Sequence, residues 1–506
     1  MWEASGRKGT YSVKEGKQGA GMKRPNILFA LADDASHFGF YGHELVDTPC
    51  IDQLAREGVV FHNAFTTNPK CAPSRASILT GCHTWQLESA CTHFCRFPPS
   101  RLLYPDLLEE AGYLVGFTGK GWGPGDYINT GYQRNPAGTE YNEKTLQPPE
   151  GTCISNTDYA ANFAAFLADR KPEQPFCFWY GCREPHRAYT EGEGIRYGKD
   201  PDKVKIPMYL PDCDTVRRDF CDYAYEIDWF DRQLYRMVRQ VKEIGEYENT
   251  IVVVTSDNGC PFPRVKGQMY EQDLRLPLSI TWTGAVKGGR QVSDIVSFID
   301  FAPTFLEAAG VSIPEEFCGK SLMDILGTDK EGIVNPDRNR AFMGRERHDM
   351  GRYQDKGYPV RCIRTPRYLY IRNYHPWLCP AGNPETGYTN CDPSPTKREI
   401  LHRHAENENM YYNLSFGLRP AEELFDIIKD PECMENLAEN PNYRSVKKQL
   451  KQELDDELLK TGDPRIRGEG DIFDTYAYVG NPPHKWSLLE ENYNAWLREE
   501  QKKRGR

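Results

Sequence analysis

Four apolar runs, each stopping at polar or charged residues, constrain this chain more than any other feature. Asn26 to Ala32 reads Asn-Ile-Leu-Phe-Ala-Leu-Ala and stops at Asp33-Asp34; Tyr113 to Thr118 stops at Gly119-Lys120. Pro175 to Gly181 runs into Arg183-Glu184-Pro185-His186-Arg187, and Thr250 to Thr255 into Ser256-Asp257-Asn258-Gly259. Runs of this length without polar alternation belong to strands buried on both faces. Helical periodicity lies between them, at Tyr159 to Leu167 and Tyr223 to Ile244, and a further helix follows at Phe301 to Ala309. Strands alternating with helices predict an α/β fold with a largely parallel sheet flanked by helices, and such sheets bind ligands beyond the carboxyl ends of their strands. One polar strand end is what any loop looks like; four at one sheet edge mark a site.

At 506 residues and 39% hydrophobic content the chain has material for two or three domains. From about Tyr358 the texture changes to short strand-like pieces, Val360 to Arg364 and Tyr368 to Arg372. A Pro/Gly/Asn-rich loop, Glu423 to Asp426 and a helix with Val446, Leu450, Leu454 and Leu458 on one stripe come next. This divides the chain into a polar extension (1–21), a catalytic α/β domain (22–357) and a smaller α+β domain with a helical tail (358–506). The extension has no apolar core, so it reads as disordered and not as a signal peptide, with Met22 a plausible alternative start. The compartment stays open. A formal charge of -10 works against nucleic-acid binding, and no apolar run approaches the length of a membrane span. An acidic protein that holds an anion must gather its cations locally. The sixteen cysteines are dispersed; Cys379 and Cys391 flank a loop and could bridge or remain thiols.

Cys71 to Gly81, Cys-Ala-Pro-Ser-Arg-Ala-Ser-Ile-Leu-Thr-Gly, is the stretch with reactive character. Pro73 suits a first helical turn and Gly81 a left-handed stop, which predicts a short helix with Cys71 just before its N-terminus. Amide hydrogens there favour anions and depress a thiol pKa. Asp33, Asp34, Asp257 and Asn258 offer hard oxygen ligands that suit Ca²⁺ or Mg²⁺ better than zinc, and of the two we take Ca²⁺. Lys120, His186 and Lys266 supply the local positive charge.

Cys71-Ala-Pro-Ser-Arg75 followed by Leu-Thr-Gly resembles the signature of the type I sulfatases. The Asp-Asp after the first strand, Thr118-Gly-Lys120, Pro185-His186, Ser256-Asp-Asn-Gly259, Lys266-Gly267, Glu423-Leu-Phe-Asp426, Asp430-Pro431 and Asn436-Leu437 follow that family's pattern in order. Arg24-Pro-Asn26 and Pro261-Phe-Pro263 make the chain most similar to its heparan N-sulfatase (sulfamidase)-like branch. The resemblance implies an alkaline-phosphatase-like fold whose smaller C-terminal domain is built on an antiparallel sheet. It implies that Cys71 is oxidised to formylglycine by a formylglycine-generating or anaerobic maturase enzyme, its hydrated aldehyde being the nucleophile. One Ca²⁺ would sit on Asp33, Asp34, residue 71, Asp257 and Asn258, with Arg75 beside the diol, Lys120 and Lys266 on the sulfate, and His186 or Lys266 protonating the leaving group. The family is mostly exported. Two positions depart from its pattern: Gly121-Trp122 follows Lys120 where a histidine usually stands two residues on, and Trp85 replaces another histidine, with His83 nearby.

The substrate this implies is a sulfated oligo- or polysaccharide. Arg183, Glu184 and Arg187 bracket His186, and Arg345, Glu346, Arg347 and His348 form a second charged cluster; mixed acids and arginine forks suit uronate-containing sugars. Trp122 joins them as a candidate contact. N-sulfated glucosamine of heparan type comes first and an O-sulfated algal or animal glycan second. A phosphonate or phosphodiester hydrolase of the same superfamily and a non-catalytic glycan-binding relative are the rival readings.

Overall fold

The computed structural model describes residues 23–480 together with 486–491, 494, 495, 498 and 502. The extension expected at 1–21 lies outside these residues, as does part of the C-terminal tail. An eight-stranded sheet forms the body, in the spatial order Arg290–Ser297, Val59–Phe65, Arg275–Thr281, Thr250–Ser256, Asn26–Ala32, Phe176–Gly181, Leu114–Gly119, Thr139–Glu140. All pairings are parallel except the two made by Arg275–Thr281. The four strands read from apolar runs are the four adjacent central ones.

Why those runs are continuous is visible in Asn26–Ala32. Ile27, Phe29 and Leu31 point into one core, and Leu28, Ala30 and Ala32 into another on the opposite face, all fully buried. Successive strand residues face opposite ways, so a strand covered on both sides has no polar position to show. Each such Phe or Leu contributes about 1.5–3 kcal/mol by burial. The first core includes the Cys71–Thr80 and Phe301–Ala308 helices, and the second the Tyr159–Ala168 and Asp214–Glu243 helices. Parallel register then sets the strand ends level: Ala32 pairs with Ser256 and Leu31 with Gly181, which puts Asp33, Asp257 and the 182–187 segment side by side.

A separate antiparallel sheet of Ala341–Arg345, Val360–Arg364, Tyr368–Asn373 and Glu422–Asp426 carries the Arg444–Lys460 helix on one face through Leu450, Leu454 and Leu458. The boundary drawn at residue 358 falls inside this sheet, because Ala341–Arg345 crosses over to pair with Val360–Arg364. Cys379 and Cys391 are both free thiols.

Candidate active site

The helix bearing Cys71 runs from Cys71 to Thr80 and is buried along its entire length. Lys70 is its N-cap, so Cys71 is the first helical residue and does not precede the helix as the sequence suggests. Gly81 closes it in the left-handed conformation (φ 63°), its N–H donating to Ser77 O. The turn after the Thr250–Ser256 strand is locked to this helix: Ser74 Oγ donates to the Asp257 carbonyl at 2.6 Å, and Arg75 Nε donates to Asp257 Oδ2 at 2.8 Å.

Asp33 and Asp34 are consecutive, and in an extended strand their side chains would diverge. Asp34 instead takes a left-handed backbone (φ 69°), which turns both carboxylates to one centre. Cys71 Sγ lies 3.2 Å from Asp33 Oδ1 and 3.9 Å from Asp34 Oδ1. Ligand atoms of Asp33, Asp34, Cys71 and Asp257 all fall within 4.8 Å of one another. Asn258 donates from Nδ2 to Asp34 Oδ1 at 2.7 Å, while its Oδ1 is buried with no hydrogen-bond partner among the described residues. Three carboxylates and an orphaned amide oxygen around one point are a donor set that fits a hard divalent cation.

The cations ring this centre. Lys120 Nζ is 2.5 Å from Asp33 Oδ2; Lys266 bridges Asp34 and Asp392, the latter at 2.8 Å. Arg75 also donates to the carbonyls of Lys120 and Gly121 (2.6 and 3.0 Å), and His186 Nε2 stands 3.8 Å from Asp34. Burial works to raise Asp33, but Lys120 and Arg75 overcome it and hold its carboxyl well below the usual range. Asp257, with burial and the Asp33 charge against it, is pushed up to about 6. The thiol departs from expectation: burial, then the Asp33 charge, pushes Cys71 well above the usual thiol range. A helix end equivalent to about half a charge does not offset nearby carboxylates.

Asp33, Lys120 and His186 open onto a cleft of about 830 Å³. Lys70, His93, Asp349 and Asp392 also line it, and none of these four was picked out from sequence. Lys70 was readable as the neighbour of Cys71; the other three sit on loops with no strand-end signal. Of the expected substrate residues, Arg183 is exposed on the cleft wall. Glu184 lines the cleft, but its oxygens already accept from Ser155 N and Tyr159 OH. Arg187 spends its fork on Asp219 at 2.7 and 2.9 Å. Trp122 presents only an edge, being 3% exposed with Nε1 donating to Ala72 O. Arg345 and His348 are not brought to the cleft. Arg345 is buried, donating to the carbonyls of Gly267, Tyr358 and Pro380, and His348 Nε2 meets Asn68 Oδ1 at 2.7 Å. Glu346 is likewise consumed by Arg361 and Arg465. His83 does not replace the absent histidine: it stacks on Trp85 beyond the far end of the helix, and burial holds it down to about 3.

The sulfatase family model matches residues 25–311. The chain belongs to the sulfatase family. A second model, N-sulphoglucosamine sulphohydrolase, C-terminal, matches residues 265–376, which is consistent with the sulfamidase-like branch. Human N-sulphoglucosamine sulphohydrolase is 28% identical over 87% of this chain and 91% of its own length. An ulvan-active sulfatase of Formosa agariphila is 28% identical over 89% of the chain and 77% of its own length. A solved structure described as in complex with its substrate D-glucosamine-2-N,6-O-disulfate superposes with a TM-score of 0.64 at 22% identity, covering 87% of this chain and 99% of that one. As a family member the protein is a hydrolase of sulfuric esters or sulfamates, with the alkaline-phosphatase-like fold and separate antiparallel sheet described above.

Proposed function

We propose that this sulfatase removes sulfate from a sulfated glycan, with Cys71 matured to formylglycine and one Ca²⁺ held by Asp33, Asp34, Asp257, Asn258 and residue 71. The observation that carries this is the convergence of Cys71 with three carboxylates, Arg75, Lys120 and Lys266 on one buried centre beneath the cleft. A thiolate is disfavoured among these carboxylates, whereas a hydrated aldehyde supplies a nucleophile with no charge of its own. The Ca²⁺ would polarise that nucleophile and the sulfate oxygens. A formylglycine-generating or anaerobic maturase is the partner this maturation requires.

The chain's own residues do the rest. Lys120 and Lys266 neutralise Asp33 and Asp34; were those carboxylates to hold a cation, both ammonium groups would be free to meet sulfate oxygens. Arg75, fixed by Asp257 and two carbonyls, orients residue 71 and stabilises charge there. His186, its Nδ1 2.6 Å from Arg187 O, has Nε2 at the cleft to deliver a proton to the leaving group; Lys266 is the second candidate.

N-sulfated glucosamine is the first substrate, on the C-terminal family match and the human relative's similarity. The ulvan-active relatives favour an O-sulfated polysaccharide as the second reading. The cleft volume lies within the range of small-molecule sites and admits a short saccharide. Arg183 is the arginine on the wall able to meet an acidic sugar. Desulfation of defined heparan and ulvan oligosaccharides by the matured chain tests the assignment: release from N-sulfated glucosamine supports the first reading, release only from O-sulfated sugars the second. Turnover confined to phosphonate or phosphodiester substrates would refute both.

A further inference from the structure

His93 lines the cleft on the loop beyond the Cys71–Thr80 helix and is nine-tenths buried. Its Nδ1 lies 2.5 Å from Asp349 Oδ1, and the other oxygen of Asp349 is 2.6 Å from Nζ of Lys70, the residue directly before Cys71. Burial works to raise Asp349, but Lys70 and His93 hold it well below the usual carboxylate range, so it is ionised and accepts only. Nδ1 therefore carries the hydrogen. Burial also holds the ring down to about 4, which leaves Nε2 a bare lone pair at neutral pH. That Nε2 is buried and has no hydrogen-bond partner among the described residues. An unmet buried acceptor is costly, and a donor arriving in the cleft recovers that cost.

We propose that His93 is a specificity-determining residue whose Nε2 accepts a hydrogen bond from a hydroxyl of the sugar that carries the scissile sulfate. This rests on the sulfatase reading of the same cleft. Lys70, His93 and Asp349 line the same cleft as Asp33, Lys120 and His186, so a sugar whose sulfate sits over residue 71 meets the wall they build. A lone pair repels sulfate and carboxylate oxygens, which selects a donor. Lys70 has ammonium hydrogens beyond the one given to Asp349, so a hydroxyl can donate to His93 and accept from Lys70. A charged or purely accepting group cannot do both.

The test uses glucosamine N-sulfate and its 3-deoxy analogue, which lacks the hydroxyl beside the sulfated position, on matured wild type, His93→Phe and His93→Gln. Wild type is expected to favour the parent sugar about 10- to 100-fold in kcat/KM. His93→Phe brings that ratio near one, and His93→Gln, whose amide keeps an acceptor, restores part of it. An unchanged ratio in His93→Phe overturns the proposal, since a structural role lowers both rates alike. A second readout needs no turnover: in the unmatured protein, the ¹⁵N resonance of His93 Nε2 should move on adding glucosamine and not on adding 3-deoxyglucosamine. Such a shift without hydrolysis of either sulfated sugar sinks the N-sulfate reading and keeps this one; equal or absent shifts overturn it.

Discussion

Replacing Asp257 by Asn should stabilise the metal-free protein while destroying its function. Asp257 is fully buried, and burial plus the Asp33 charge lift its carboxyl to about 6 even with the pull of Arg75 included. An aspartate in the unfolded chain titrates near about 3.9. Below that pH both states are protonated, and the native state gains from holding the proton. As pH rises through about 6 the gain is lost, and native protein carries an ionised group it disfavours by about 3 kcal/mol, from two pH units at about 1.4 kcal/mol each. Asn carries no charge and keeps the hydrogen bond from Arg75 Nε, giving up the longer one that Asp257 Oδ1 accepts from Asp34 N at 3.2 Å. In chelator at pH 7.5, Asp257→Asn should therefore melt a few degrees above wild type, an advantage that shrinks between pH 6 and 4. Calcium at 1,000 times its dissociation constant should add about 4.1 kcal/mol to wild type and far less to the variant, which outweighs the difference in chelator and reverses their order. Thermal melts across pH 4–8, with and without calcium, provide the assay. A variant that melts below wild type in chelator at pH 7.5, or that gains as much from calcium, refutes this account of the centre.

Cys71→Ala should abolish turnover with the fold intact by circular dichroism, since Sγ touches only the carboxylate centre. Lys120→Ala should lower kcat about 10²- to 10³-fold, the scale for losing one preorganised charge partner, with circular dichroism checking the fold. Arg361→Met leaves Glu346 and Asp463 short of a buried partner and should cost about 3–5 kcal/mol, read by denaturant unfolding with loss of the small domain's signal first. Arg345→Ala and His348→Ala should depress melting temperature and leave KM for small sulfate esters within twofold, the reverse of what a substrate-binding role predicts.

The central sheet was legible because Asn26–Ala32, Leu114–Gly119, Phe176–Gly181 and Thr250–Ser256 lie between two cores, which removes polar alternation and leaves an unmistakable run. Strands towards one edge were not: Val59–Phe65 carries His62 and Asn63, and Arg290–Ser297 carries Gln291 and Asp294, so neither reads as a continuous apolar segment. Asp33, Asp34, Asp257 and Asn258 could be assembled from sequence because parallel register brings strand ends level. His93, Asp349 and Asp392 come from loops whose convergence depends on packing between the sheets. The Arg345–His348 string misled for a related reason. Local charge says nothing of depth, and Arg345 ends a strand whose neighbours bury its guanidinium against backbone carbonyls. The thiol pKa was misjudged because the helix terminus was weighed alone: sequence shows neither how deeply Cys71 is buried nor how closely Asp33 approaches it, and these two push the thiol the other way.

The most direct test of the central claim is sulfate released from a heparan-type oligosaccharide by the chain co-expressed with a maturase, measured by ion chromatography beside Cys71→Ala prepared identically. The account predicts sulfate in step with desulfated product, only from the chain whose residue 71 is found as the aldehyde or its hydrate by mass spectrometry. Equal release by Cys71→Ala, or by protein whose residue 71 remains a thiol throughout, would contradict it.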